Sequence, residues 1–158
     1  MRVVFLDFDG VLNSAKWMEQ VHAVDRKFAS FLQRHQEELN PEAVKLVSDF
    51  VLEMEARVVI SSSWRILHPL GEIRIMLKNR GWDARNLIID KTPNTKRGWR
   101  GEEVNQWLSE HPEVTAHVIF DDDGDFHDIQ PLVKTSWDNG VTPFHIDVAR
   151  KLLTNPLY

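Results

Sequence analysis

The first ten residues constrain the fold of this chain more than any other stretch. Residues 3–6 form a short, unbroken apolar run, which is typical of a strand buried on both faces of a parallel sheet. Asp7 and Asp9 follow at once, and two carboxylates this close repel each other and pack poorly. Because ligands of open α/β sheets bind beyond the carboxyl ends of the strands, the pair predicts a binding site. Gly10 lets the chain turn sharply there and lets a ligand approach the backbone.

Strand-like and helix-like segments alternate about five times along the rest of the chain. Apolar runs predict further strands over residues 57–60, 86–89, 116–120 and 132–135. Apolar spacing and capping residues predict helices over residues 25–38, from Asn40-Pro41 onward, over residues 70–79 and 101–111, and from Thr142-Pro143 onward. This order predicts a three-layer α/β/α sandwich, Rossmann-like, with a mostly parallel sheet of about five strands. We expect one domain over residues 1–158, with a small helical lid inserted at about residues 14–39.

Composition excludes several classes of protein. The net charge is −5 with no basic tail, which argues against binding nucleic acid through overall charge but leaves a local basic patch open. The absence of cysteine excludes disulfides and thiolate chemistry and is compatible with a reducing compartment. The first apolar run is too short to span a membrane. We therefore expect a cytoplasmic protein with no membrane association and no obligate protein partner.

Three predicted strands are followed by residues of the types that form active sites. Asp7 and Asp9 follow the first strand, a serine triplet at residues 61–63 follows the second, and residues 121–125 (DDDGD) follow the fourth. Each group alone fits a helix N-cap or a turn, but in a parallel sheet all three meet at one edge. Phosphoryl transfer uses such groups: a carboxylate nucleophile, donors to the phosphate oxygens, and Mg²⁺ bound by carboxylates.

Several motifs resemble those of one known family. Residues 7–12 (DFDGVL) resemble motif I of the haloacid dehalogenase (HAD) superfamily. The segments SSSWR, RGEEVNQWL and DDD resemble small HAD domains related to RNA and DNA end-repair phosphatases, and the resemblance covers nearly the whole chain. It implies a Mg²⁺-dependent phosphomonoesterase in which Asp7 is the nucleophile and a metal ligand. Asp9 would be the general acid and base, with its carbonyl on the metal.

The resemblance also implies roles at the second and fourth strands. A serine of the triplet would bind the substrate phosphate, and Ser62 is the first choice, Ser61 the second, with Ser63 also a candidate. Asp121 and Asp122 match the acidic pair of motif IV, so at least one of them should bind Mg²⁺.

The motif III cation lies near the start of the helix over residues 101–111. Lys96, Arg97 and Arg100 all qualify by position; the resemblance favours Arg100, with Lys96 second, whereas Arg97 fits a solvated loop charge. Arg65, in SSSWR, has two open interpretations. Its guanidinium either contacts a substrate phosphate or pairs with a nearby carboxylate.

The prediction of the substrate is based on the size of the inserted lid and on the tryptophans. A lid of about 26 residues is too small for a folded cap domain, and an open site suits a bulky substrate. Trp17, Trp64, Trp82 and Trp99 either stack on a base or pack inside the protein. We expect a nucleotide or a phosphorylated polynucleotide end as substrate. The alternatives are a small-metabolite phosphatase and a phosphate-binding module without turnover, and the second acid at Asp9 argues against the binding module.

Overall fold

The computed structural model describes residues 1–24 and 27–155. Its five strands are β1 (Arg2–Leu6), β2 (Arg57–Ile60), β3 (Ile88–Lys91), β4 (Ala116–Asp121) and β5 (Leu132–Lys134). The helices of the described residues are α1 (Ala15–His22), α2 (Phe31–Glu38), α3 (Pro41–Glu53), α4 (Trp64–Leu67), α5 (Leu70–Asn79), α6 (Arg100–Ser109) and α7 (Pro143–Thr154). Within these described ranges, no helix has the length and apolar character that crossing a membrane requires.

The strands form one parallel sheet in the order β3-β2-β1-β4-β5. This confirms the predicted α/β class and Rossmann-like sheet. The chain builds outward from β1 to β3 and then returns to the other side of β1 for β4. Since crossovers between parallel strands are right-handed, α3 and α5 cover one face and α6 covers the other. The reversal leaves a crevice beyond the carboxyl ends of β1 and β4, where ligands of such sheets bind.

The unbroken apolar run of β1 reflects burial on both of its faces. Val4 and Leu6 belong to a large core cluster shared with α3, α5 and α7. Val3 and Phe5 point the other way, into a smaller cluster with Val104 and Trp107 of α6. Successive side chains of a strand alternate between faces, so both faces of β1 need apolar residues.

The predicted helix over residues 25–38 is wrong in its first part. Helix α2 begins at Phe31 because the Ser30 hydroxyl accepts a hydrogen bond from the Gln33 N–H at 3.1 Å, the bond of an N-cap. Residues 27–30 lie outside any helix, and residues 25 and 26 lie outside the described residues. Helix α1, which is capped by Ser14, was not predicted.

Two further segments differ from prediction. Strand β3 begins at Ile88 instead of residue 86, because the Leu87 and Ile88 N–H groups bond to the Ala84 carbonyl in a turn. The segment between the serine triplet and residue 70, where no helix was predicted, contains the short helix α4. The remaining helices and strands lie within two residues of the predicted bounds where bounds were given.

Replacing Trp107 tests the smaller of the two core clusters, which lies between the sheet and α6. The Trp107 ring meets Phe5 edge-on at 5.5 Å, and its indole N–H donates to Asp90 at 2.7 Å. We expect Trp107→Ala to lower the free energy of unfolding by about 3–5 kcal/mol, because it leaves a cavity under α6. Urea unfolding followed by circular dichroism measures this. The control Trp137→Ala removes a ring that is 44% exposed; equal losses in the two variants would contradict the assignment.

Candidate active site

The carboxylates that follow β1 and β4 lie side by side. Leu6 pairs with Phe120 in the sheet, so the next residues, Asp7 and Asp121, are neighbours. The Asp7 N–H donates to the Phe120 carbonyl at 3.0 Å. One carboxylate oxygen each from Asp7, Asp121 and Asp122 lies within 4.8 Å of the others. Residues more than a hundred positions apart thus form one acidic cluster at the carboxyl edge of the sheet.

Arg100 is the cation placed among these acids. Its Nη1 lies 3.3 Å from Asp7 Oδ1 and 3.0 Å from Asp121 Oδ2, and it donates to the Ser61 carbonyl at 2.6 Å. One guanidinium does not neutralise the cluster. Burial raises the pKa of Asp121 to about 8, with the charge of Asp7 as the next cause, and burial also raises the pKa of Asp7 despite Arg100.

The cluster fits a divalent metal ion. Three carboxylates facing one another, two of them buried, form an oxygen donor set that suits Mg²⁺. Gly10 leaves room for this set: its φ is +72°, and a Cβ there would lie 2.3 Å from the Asp122 carboxyl group. Any other residue at position 10 would displace the Asp122 carboxylate. Asp7, Asp121 and Asp122 are therefore the side chains that would bind the ion.

The Asp9 carboxylate is held at both oxygens. Asn13 donates to Asp9 Oδ1 at 2.8 Å, and the Trp64 indole donates to Asp9 Oδ2 at 3.0 Å. Asn13 also accepts from the Gly10 N–H at 2.9 Å. Neither contact was predicted. The position of Asn13, four residues after Asp9, was a signal available in the sequence, whereas the Trp64 contact comes from another strand end.

The tryptophans divide into two groups by burial. Trp64 and Trp82 are each only 3% exposed, so the base-stacking interpretation is wrong for both. Trp17 is half-buried, with its indole bonded to the Glu37 carbonyl. Trp99 is 47% exposed.

The serine triplet places one hydroxyl at Asp7. Hydrogen bonding by the Ser62 side chain lowers the pKa of Asp7 against the larger effect of burial, and the Ser62 hydroxyl oxygen accepts from the Trp64 backbone N–H at 3.3 Å. The Ser61 hydroxyl is buried and has no hydrogen-bond partner within the described residues, and Ser63 is exposed. Of the three candidates, Ser62 is the one whose hydroxyl adjoins the predicted nucleophile.

Arg65 does not have a guanidinium free to bind phosphate, so that interpretation is corrected. It is buried, and its five N–H groups are matched by five acceptors: the Glu103 carboxylate at 2.6 Å and the carbonyls of Ser61, Ser62, Thr92 and Pro93. The pairing with a carboxylate is the arrangement observed. Arg65 thus holds the backbone of the triplet by bonding the Ser61 and Ser62 carbonyls.

The other loop cations lie on the surface. Lys96 and Arg97 are exposed and have no hydrogen bond or ion pair with the part of the chain that the structure describes. Of the three motif III candidates, only Arg100 contacts the described acids of the cluster.

The predicted lid reaches the site through an aromatic cluster. His35 of α2 stacks on Trp64 with ring centroids 4.3 Å apart, and its Nδ1 lies 2.9 Å from His68 Nε2. Phe31 covers His35 at 4.1 Å. Because Trp64 bonds Asp9, α2 packs directly behind the residue that fixes the predicted general acid.

A cavity of about 640 Å³ lies elsewhere, at the amino edge of the sheet. It is lined by residues such as Pro112, Val114 and Ile129 and by none of the candidate site residues. Buried carboxylates at a strand reversal indicate phosphate chemistry better than cavity size does.

The pKa of Asp121 predicts how stability depends on pH and metal. The native carboxyl keeps its proton up to about pH 8 while the unfolded chain releases it near 3.8. The metal-free protein therefore loses stability as the pH rises between these values. Asp121→Asn removes this titration. In EDTA, the free energy of unfolding of the variant minus that of wild type should therefore increase by up to about 2 kcal/mol as the pH rises from about 6 to about 8.

Thermal unfolding measures both arms of this prediction. Mg²⁺ should raise the Tm of wild type at about pH 8 and raise that of Asp121→Asn much less, since one ligand is gone. A Tm difference that does not change with pH, or equal Mg²⁺ stabilisation of both proteins, would contradict it.

The buried pair of Arg65 and Glu103 predicts a large local effect. Glu103→Ala leaves a buried guanidinium without its carboxylate and should lower the free energy of unfolding by about 3–5 kcal/mol. Glu102→Ala is the matched control, because Glu102 is exposed and contacts only His127 among the described residues. Urea titration of the two variants should separate them clearly; a Glu103 variant as stable as the Glu102 variant would refute the role of the pair.

Comparison with known proteins agrees with this geometry. Residues 3–146 match the model of the HAD domain in Swiss Army Knife RNA repair proteins. Searches of curated proteins and of solved structures found no match. The match spans β1 to the first residues of α7 and contains every candidate site residue. The chain therefore belongs to the family of HAD domains found in Swiss Army Knife RNA repair proteins, within the HAD superfamily of hydrolases and phosphatases.

Proposed function

We propose that this protein is a Mg²⁺-dependent phosphomonoesterase that acts on a nucleotide or on the phosphorylated end of a polynucleotide. The observation that carries the proposal is the meeting of Asp7, Asp121 and Asp122 at one strand edge with Arg100 between them. The family's occurrence in RNA repair proteins supports a polynucleotide end.

Each residue of the site has a task in this chemistry. A carboxylate oxygen of Asp7 attacks phosphorus, and the ester bond to the leaving oxygen breaks as Asp9 gives that oxygen a proton. The product is an aspartyl-phosphate. Asp9 then takes a proton from water as the water oxygen attacks phosphorus and releases Asp7. Asn13 and Trp64 hold the Asp9 carboxylate in one orientation for both transfers.

The residues around Asp7 stabilise the negative charge of the carboxylate and of the phosphoryl group. Arg100 contacts the Asp7 carboxylate and hydrogen bonding by Ser62 lowers the pKa of Asp7, which supports both as donors to a phosphoryl group bound there. Mg²⁺, bound by Asp7, Asp121, Asp122 and the Asp9 carbonyl, would neutralise the carboxylates and phosphate oxygens that must approach each other.

Replacement of the nucleophile tests this proposal. Asp7→Asn should lower kcat on p-nitrophenyl phosphate and on a phosphorylated oligonucleotide by about 10³-fold or more, because the amide is a poor nucleophile. EDTA should abolish the wild-type rate and Mg²⁺ restore it. Phosphate release is the measurement, and Asp128→Asn, an exposed loop carboxylate, is the control.

The outcomes separate the alternatives. Activity that survives Asp7→Asn refutes the nucleophile. If the enzyme hydrolyses mononucleotides and oligonucleotides no better than sugar phosphates, the result favours a small-metabolite phosphatase. Binding of phosphate esters with no turnover on any of them favours the binding module.

A further inference from the structure

The loop between β3 and α6 has a charge opposite to that of the protein. Residues 92–99, between the two elements, carry two cationic side chains and no carboxylate, in a chain of net charge −5. Lys96 and Arg97 are exposed and unpaired within the described residues. By contrast, Arg85 and Arg150 on the surface each bond a neighbouring carboxylate. The loop thus offers two free cations beside an acidic site.

An exposed aromatic residue lies between these cations and Arg100 in the sequence. Of the six tryptophans, all within the described residues, only Trp99 and Trp137 are largely exposed. The Trp99 and His127 rings are roughly perpendicular with centroids 5.2 Å apart, and Trp99 remains 47% exposed. Trp99 immediately precedes Arg100, whose backbone N–H donates to Asp125 at 3.2 Å. Trp99 therefore lies on the rim of the acidic cluster, joined to the loop that follows β4.

We infer that Lys96, Arg97 and Trp99 form a binding strip for the nucleotide next to the phosphorylated one in a single-stranded polynucleotide end. The two cations match the phosphodiester charge, and the indole face matches a base of any sequence. A mononucleotide or a sugar phosphate has no second nucleotide to occupy the strip. This inference rests on the proposed function and assigns the end of a chain, not a free nucleotide, as the better substrate.

Paired substrates test the binding strip. Wild type should hydrolyse a phosphorylated oligoribonucleotide with a kcat/KM at least about tenfold above that for the mononucleotide. Trp99→Ala, and separately the double variant Lys96→Gln/Arg97→Gln, should lower the oligonucleotide value about tenfold and leave p-nitrophenyl phosphate within about twofold. Trp99→Phe keeps an aromatic face and should restore most of the loss. The double variant should also reduce the salt dependence of oligonucleotide binding by a slope of about 1.

The matched charge control is Lys78→Gln/Lys151→Gln. Both lysines are exposed and lie near the C-terminal ends of α5 and α7, toward the amino edge of the sheet, so the same charge is removed far from the site. Equal losses in the two double variants, or equal losses on oligonucleotide and p-nitrophenyl phosphate, would overturn the inference.

A binding measurement separates this inference from the proposed function. Fluorescence anisotropy of a labelled, phosphorylated oligoribonucleotide needs no turnover. If no substrate is hydrolysed but the strip variants still weaken binding about tenfold, the proposed function fails and the strip stands. If turnover occurs and the strip variants bind the oligonucleotide like wild type, the strip fails alone.

Discussion

The contact of one guanidinium with two buried carboxylates is the interaction on which the site depends. Arg100 reaches Asp7, Asp121 and the Ser61 carbonyl from the first turn of α6, and so joins the ends of β1, β2 and β4. The sheet order brings these ends together, because the chain reverses direction beside β1. Burial, and next the charge of Asp7, raise the pKa of Asp121 to about 8 although Arg100 lowers it. Because one guanidinium does not neutralise three carboxylates, the site suits a metal ion.

A second layer of contacts holds Asp9 and the serine triplet in position. The buried pair of Arg65 and Glu103 ties the serine triplet to α6 through backbone carbonyls. On the other side of the site, Asn13 and Trp64 hold Asp9, and His35 of α2 stacks on Trp64. The small inserted helix α2 therefore packs behind Asp9, whereas Trp99, next to Arg100 in the sequence, is 47% exposed.

Much of the fold was predictable because local patterns agree with it. The apolar runs of β1, β2 and β4 mark strands buried on both faces, and Asn40 with Pro41 marks the start of α3. The errors fall where local signals compete. The helical spacing before Phe31 suggested one long helix, but the Ser30 cap starts it later. Arg65 resembled a phosphate ligand because residue type and position alone do not reveal that Glu103 and four carbonyls occupy its donors.

The sequence by itself determined the strand and helix order, the acids at the strand ends and the family to which they belong, because those features are written in spacing and residue type along the chain. Only the tertiary structure decided which serine adjoins Asp7, which loop cation enters the acidic cluster, and what fixes Asp9. These choices depend on distances between residues that are far apart in sequence, and such distances exist only once the sheet has brought the strand ends together.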